Sequence, residues 1–238
     1  MHLEAVGGVV RAVGHYACIG YSKLSEASAD RAIEDQVAYF TSLGQEVEWK
    51  VYGHDRPGDL GARLAARGFQ PDETETLMVF DLALEPPPAR PDREVDIRRV
   101  RDEAGLGDLL AVSSKAFGRD ENRKAEPFRA RLADPTLGLF VAYADGAPVA
   151  AGRLEMPPGR SFAGLWGGGT VPDFRGRGIY RALVASRAQE ARRRGYRYLN
   201  IDARDTSRPI LERLGFVPLI TVTGWVLRPS APEADRRS

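Results

Sequence analysis

Cysteine is nearly absent from this chain. Cys18 is the only one among 238 residues, which excludes an intramolecular disulfide and leaves no thiol set for a zinc site. Histidine is almost as scarce: His2, His15 and His54 all fall in the first quarter, at no spacing that suits a metal cluster. Charge of one sign is not in excess either, with 34 basic residues against 33 acidic ones and a formal charge of +1. A dedicated nucleic-acid binder would show a clear basic surplus, so that class is set aside. No apolar run approaches the ~20 residues of a membrane span. The opening Met1-His2-Leu3-Glu4 lacks the basic-then-apolar plan of a signal peptide. The expectation is a cytoplasmic protein with no metal, no nucleic-acid partner and no membrane partner. What the chain does have is 43% hydrophobic and 28% charged residues, enough for a packed core.

Proline marks the division. The run from Leu84 to Glu94 carries four prolines, which remove backbone donors and favour extended geometry. The expected organisation is therefore an N-terminal piece at 1–83, a semi-rigid linker at 84–93, a larger piece at 94–228 and a frayed tail at 229–238. In the larger piece, periodicity predicts a strand over Val95–Val100, helices over Asp102–Phe117 and Asn122–Ala133, and a hairpin of Leu137–Ala144 with Ala147–Glu155. Asp145-Gly146 supplies the hairpin's type I′ turn signal. A glycine-rich strand over Ala163–Val171, a long helix over Gly178–Arg194, a strand over Tyr196–Ala203, a short helix over Ser207–Leu214 and a strand over Val217–Leu227 complete it.

Two stretches repeat one plan. Ser42-Leu43-Gly44, then Glu46–Tyr52, then Ala62–Arg67 and Gly68-Phe69 read as helix end, glycine stop, strand, short helix and Gly-Phe. Arg193-Arg194-Gly195, then Tyr196–Asp202, then Ile210–Leu214 and Gly215-Phe216 read the same way, and each is followed by a strand. Either any two α/β units look this similar, or the chain holds two copies of one half-domain, the first without its upstream half.

The segment Gly167-Gly168-Gly169-Thr170-Val171-Pro172-Asp173-Phe174-Arg175-Gly176-Arg177-Gly178-Ile179-Tyr180 carries the chemistry. It is a strand, a Pro-started loop with two glycines, and the first turn of a helix. The first amides of a helix have no internal partners, and the helix dipole adds positive potential there, so this is an anion cradle. Gly176 and Gly178 allow close approach and positive φ, and Arg175 and Arg177 add charge suited to a pyrophosphate. The loop has no Gly-Lys-Ser/Thr and no Gly-x-Gly-x-x-Gly, so it is neither a P-loop nor a dinucleotide loop.

In that context Arg175-Gly176-Arg177-Gly178-Ile179-Tyr180 resembles the acyl-CoA motif of the GCN5-related N-acetyltransferase (GNAT) superfamily, Arg/Gln-x-x-Gly-x-Gly/Ala after a strand ending in Val-x-Pro. Leu214-Gly215-Phe216 and its strand resemble the family's later block, and the likeness spans about Glu94 to Leu227. It implies an α/β (α+β) fold, a mixed and mostly antiparallel sheet flanked by helices, with a degenerate partial copy at the N-terminus that lacks the loop. It also implies direct acetyl transfer from acetyl-CoA to a primary amine of a small molecule or peptide. The cofactor-binding residues would be Gly169, Thr170, Val171, Arg175, Gly176, Arg177, Gly178, Ile179 and Tyr180. Pantetheine would pair with the strand ending Gly169-Thr170-Val171, and amides near Thr170-Val171 would face the oxyanion. The N-terminal piece would supply sheet packing, a homodimer interface or an acceptor-site wall.

Two positions depart from the family pattern. Tyr180 stands where the family has Gly or Ala. Leu211 stands five residues before Phe216, where many members carry a tyrosine that protonates the thiolate. For the base, Glu155 at the end of the hairpin is the first candidate, against a plain solvated carboxylate. Asp202, Asp205 and Ser207 follow the later strand, at the end where open α/β sheets place ligands, although Ser207 also suits a helix cap. A non-enzymatic CoA-binding sensor or interaction module is the alternative that the missing tyrosine leaves open.

Overall fold

A computed structural model of the chain describes residues 2–14, 16–85, 91–92 and 94–229. Residues 86–90 and 93 of the proline run, and 230–238 of the tail, lie outside the described residues. The described residues form eleven strands and six α-helices. By packing they divide into two units, one built from the residues up to Thr76 together with those from Ile220 onward, the other from Leu77–Leu219.

The first unit begins with β1 (His2–Val6), β2 (Val9–Val13) and β3 (Ala17–Ser22), followed by α1 (Glu26–Ser42), β4 (Val47–Tyr52), α2 (Leu60–Ala66) and the start of β5 (Gln70–Asp81). The opening hairpin turns through Gly7 and Gly8, both at positive φ, as a tight β-turn between twisted strands requires. β3 runs parallel to β4, with Ala17 opposite Val47 and Ile19 opposite Trp49. Trp49, Phe40, Phe69, Ile33 and Leu64 fill the core. Each fully buried leucine there contributes about 2 kcal/mol relative to exposure.

The second unit carries β6 (Asp96–Arg99), α3 (Glu103–Phe117), α4 (Ala125–Arg129), β7 (Leu137–Ala144), β8 (Ala147–Glu155), β9 (Phe162–Thr170), α5 (Ile179–Arg193), β10 (Tyr198–Ala203), α6 (Arg208–Arg213) and the start of β11 (Val217–Leu227), whose residues from Ile220 belong to the first unit. Asp102 caps α3 by accepting from the Gly105 amide at 2.8 Å, and Gly118 ends it at positive φ. The hairpin turn has φ 51 at Asp145 and 77 at Gly146, the type I′ signature expected of Asp-Gly. Within this unit the strand order is β5-β10-β9-β8-β7-β6, with β9 and β10 parallel and the pairs β9/β8, β8/β7 and β7/β6 antiparallel. The sheet is thus mixed, as the resemblance implies. One face packs Leu154, Leu165, Leu183 and Leu199, and the other packs Leu106, Leu109, Leu139 and Val141 under α3.

The helix expected over Asn122–Ala133 is shorter. A 3-10 turn at Asn122–Lys124 leads into α4, which stops at Arg129. Pro127 is tolerated in that first turn, and Asp134 before Pro135 disfavours helical backbone further on.

The repeat is longer than the sequence alone discloses. β1-β2-β3-α1-β4-α2-β5 follows the same order as β7-β8-β9-α5-β10-α6-β11. A register shift interrupts the ladder between the second and third strands in both copies, at Val10/Arg11 and at Ala151/Arg153. What the first copy lacks is the counterpart of β6, α3 and α4. The last strands are exchanged. β11 pairs with β4 from Leu227 opposite Val47 to Val222 opposite Tyr52, whereas Met78 and Phe80 of β5 enter the second unit's core.

Candidate active site

The anion cradle forms as its residue types dictate. Pro172 starts a 3-10 turn over Pro172–Phe174, the chain continues through Gly176 and Gly178 at φ 77 and 78, and α5 begins at Ile179. A side chain at either glycine would be strained in that left-handed conformation. No atom lies within 4 Å of where a Gly176 Cβ would stand, so the loop faces open space there. Ala182 donates to the Gly178 carbonyl at 3.1 Å as the first closed helical bond, leaving the amides of Ile179, Tyr180 and Arg181 without internal acceptors. These unpartnered donors fit an oxyanion group such as a diphosphate.

The two arginines of the loop differ. Arg175 donates from Nε to the Thr170 carbonyl at 3.1 Å and from Nη2 to the Ala116 carbonyl at 2.9 Å. It ties the loop to the end of β9 and to α3, so its first task is to hold the cradle. Arg177 lies over the Phe174 ring, 5.1 Å from its centre, and leaves its guanidinium available.

Beside the cradle the sheet splits. The parallel ladder of β9 and β10 pairs Phe162, Ala163 and Gly164 with Tyr198, Leu199 and Asn200 and ends there. From Leu165 onward the edge of β9 toward β10 carries no ladder, which leaves room for an extended chain to pair with it. Gly167 adopts φ 56 with nothing near its missing Cβ, at the register shift where β9 bulges against β8. The neighbouring glycines have a different cause. A Cβ at Gly168 would press on Arg187 and Tyr180, and one at Gly169 would stand 2.8 Å from Ala116. They are small because this protein's own side chains fill the space.

Tyr180 accordingly turns neither toward the cradle nor outward. Its ring packs against Gly168 beside Arg187, and burial raises its phenol pKa despite the guanidinium nearby. Arg187 is completely buried, donates to the Arg153 carbonyl at 3.0 Å and to the Leu183 carbonyl at 3.2 Å, and keeps Nη2 unpartnered. Burial brings its pKa down to about 10, so it stays charged at neutral pH. Arg187 lies against Gly152 and Gly168, so a buried arginine supports the bulge, and no residue pattern in the sequence marks that role.

The other expected residues separate. The Val171 amide, expected to face an oxyanion, instead donates to the Val149 carbonyl at 2.9 Å; this is a correction, because β8 continues alongside and claims the donor. Glu155 lies in a row with Gly164 and Asn200 across β8, β9 and β10. These three, with Trp166, Phe162 and Arg160, line an open cavity of about 480 Å³. Asp205 and Ser207 sit in the turn before α6 and do not line that cavity. Ser207 is the cap residue of α6, yet its hydroxyl donates to the Arg204 carbonyl at 3.1 Å instead of closing the helix. Leu211 is fully buried in the core. On the α3 side of Trp166 a second, narrower crevice is lined by Ser113, Phe117, Glu121, Lys124, Arg153 and Gly167. Among the described residues no group of three His, Cys, Asp or Glu is placed to hold a metal ion, and no helix is long and apolar enough to cross a membrane.

Comparison with known proteins agrees with this geometry. The profile of the Acetyltransferase (GNAT) family matches residues 106–216, from α3 to the Gly-Phe after α6. The chain thus carries an acetyltransferase (GNAT) family domain over residues 106–216. Among solved structures it is similar to a GCN5-related N-acetyltransferase from Kribbella flavida, with TM-score 0.72 and 18% identity over 98% of this chain and 91% of that one. It is also similar to a GCN5-related N-acetyltransferase from Sphaerobacter thermophilus, with TM-score 0.62 and 17% identity over 94% and 78% of the two chains. A tandem GNAT protein from the clavulanic acid biosynthesis pathway gives TM-score 0.61 and 13% identity over 94% and 79%. At these identities the likeness establishes the fold. No curated protein sequence matches the chain.

Proposed function

We propose that the protein is an acetyl-CoA-dependent N-acetyltransferase acting on a primary amine, with the donor held by the second copy of the repeat. The observation that carries the reading is the open helix start at Gly178–Arg181 next to the unpaired edge of β9. The cradle and the edge are oriented by one loop, so a diphosphate at the first and a pantetheine amide chain along the second are mutually consistent. Acetyl-CoA supplies an acyl thioester; the residues around it bind, orient and move protons. Gly176, Arg177, Gly178, Ile179 and Tyr180 supply backbone donors and charge at the cradle, Arg175 fixes the loop, and Gly169, Thr170 and Val171 continue the strand that would line the donor.

The transfer forms a bond between the amine nitrogen and the acyl carbon and breaks the bond from that carbon to sulfur. The ammonium must first give up a proton, and its ordinary pKa near 10.4 makes a base worth roughly 10²–10⁴ in rate. Glu155, in the cavity beside Trp166, is the candidate for that role, with Asp205 and Ser207 behind it. The departing thiolate, with a reference thiol pKa of about 8.5, takes its proton from solvent or from the conjugate acid of that base, since Leu211 offers none. Holding both reactants in one cleft supplies much of the remaining acceleration.

The test is thiol release from acetyl-CoA over a panel of amines, run beside calorimetry with CoA. Turnover with any amine supports the enzyme. Tight CoA binding without turnover would make the protein a sensor or interaction module, and no CoA binding would remove both readings.

A further inference from the structure

Trp166 separates two recesses on one face of the sheet. On one side lies the cavity containing Glu155, and on the other the crevice containing Arg153, Lys124 and Glu121. Arg153 and Trp166 are cross-strand partners, so the guanidinium stands next to the indole and two residues along β8 from Glu155. The crevice also reaches Gly167, at the bulge of β9 against β8.

The charges in this region do not balance. The Glu121 side chain is fully buried, bonded by Arg119 at 2.7 Å and also by Lys124. Its one charge is therefore already matched by two cations. Arg153 has a weaker arrangement. Its Nε is buried and makes no hydrogen bond, although it lies 3.3 Å from Glu155 Oε1. The neighbours facing it are Glu155 and Glu121 as anions and Arg131 as a further cation. Burying a cation without good partners is costly, and a planar guanidinium is best satisfied by a two-oxygen anion. Four cations here (Arg119, Lys124, Arg131 and Arg153) face two anions (Glu121 and Glu155), so polycationic amines would meet repulsion, whereas an amine that also bears a carboxylate would add an anion to the cationic excess.

We propose that the acceptor is an amino acid-like compound, whose carboxylate is received by Arg153 with Lys124 across the crevice while its amine faces Glu155. This rests on the acetyltransferase reading above and adds a substrate class to it. Trp166, between the two recesses, forms the wall against which the carbon skeleton packs.

The experiment compares matched pairs at saturating acetyl-CoA: phenylalanine with phenethylamine, and lysine with cadaverine, together with phenylalaninamide, which keeps the shape without the charge. The acid members should give kcat/KM at least about 100-fold above their decarboxylated or amidated partners, the range of a charge-assisted contact. In Arg153→Met that preference should collapse mainly through KM for the acid, and Arg153→Lys should restore part of it. Lys124→Met should reduce the preference less, which gives a second reading if Arg153→Met does not fold. The proposal is overturned if the decarboxylated amines match or exceed the acids, or if Arg153→Lys and Lys124→Met slow both classes equally. Absence of thiol release from every amine, with CoA still bound in calorimetry, would instead remove the acetyltransferase reading, and the substrate assignment with it.

Discussion

The starts of α1 and α5 occupy equivalent places in the two copies of the repeat, yet they are finished in opposite ways. At α1 the chain closes the helix itself. The Ser25 amide donates to Ser28 Oγ at 2.9 Å, and the Ser28 amide bonds back to Ser25, so the cap's own amide and one first-turn donor are satisfied within the chain. At α5 the cap is Gly178, which has no side chain to offer, and the loop before it leaves the donors exposed. Closing a helix start gains stability, and leaving it open preserves a place for an anion. The same architecture therefore yields a structural half and a binding half, and the difference lies in a handful of residues at one turn.

Four measurements would break or sharpen that contrast. The largest effect is expected from Gly178→Glu, which places a carboxylate in the cradle at a left-handed backbone position. CoA affinity measured by calorimetry should fall at least about 100-fold with circular dichroism preserved, because like charge and Cβ both exclude the ligand. Unchanged affinity would remove the cradle from the argument.

Next come Leu211→Tyr and Leu64→Tyr. The two leucines stand five residues before the Gly-Phe phenylalanine of each copy, and both are fully buried. Each substitution should overpack its core by about 2 kcal/mol in denaturant unfolding. Leu211→Tyr should also fail to raise turnover. A gain in turnover would mean that the buried position still opens toward the donor.

Glu121→Gln probes the segment that only the second copy has. Burial alone would raise this carboxyl pKa, but hydrogen bonds from Lys124 and Arg119 outweigh it and hold it below the ordinary value of 4.5. A depressed carboxyl stabilises the fold above its unfolded pKa and loses that stabilisation as pH falls through the folded value. The variant should lose about 2 kcal/mol at neutral pH, discounted for the partial exposure of Lys124, and should lose less on acidification than the parent. Equal acid sensitivity in the two proteins would contradict the assigned pairing.

The smallest effect belongs to Ser25→Ala combined with Ser28→Ala. Opening α1 in this way should cost about 1 kcal/mol by thermal unfolding and should create no second CoA site. A second binding event in calorimetry would show that closure alone silences the first copy.

Much of the second copy was legible as sequence because its elements are long or strongly patterned. The hairpin Leu137–Glu155, the glycine-rich β9, α5 and β11 each carry a regular apolar period ended by a turn residue. The opening strands β1 to β3 were not. β1 is exposed on nearly every residue, so it has no buried face to leave an alternating pattern. The site divides similarly. Gly176 and Gly178 announce a cradle through residue type alone, whereas the partners of Arg175 and Arg187 are carbonyls distant in sequence, and a carbonyl has no residue signature.

The order of amino acids by itself determined that one turn would present unpartnered amides, since glycine at a helix start leaves no alternative donor or acceptor. It also determined that the chain repeats a plan, because hydrophobic period and glycine stops are local properties. Only the tertiary structure decided which copy completes which sheet, that Tyr180 folds onto Gly168, and that a guanidinium whose Nε makes no hydrogen bond stands across the strand pair from Trp166. Those outcomes depend on strands and side chains far apart in the chain meeting in space, where volume and charge must be satisfied together.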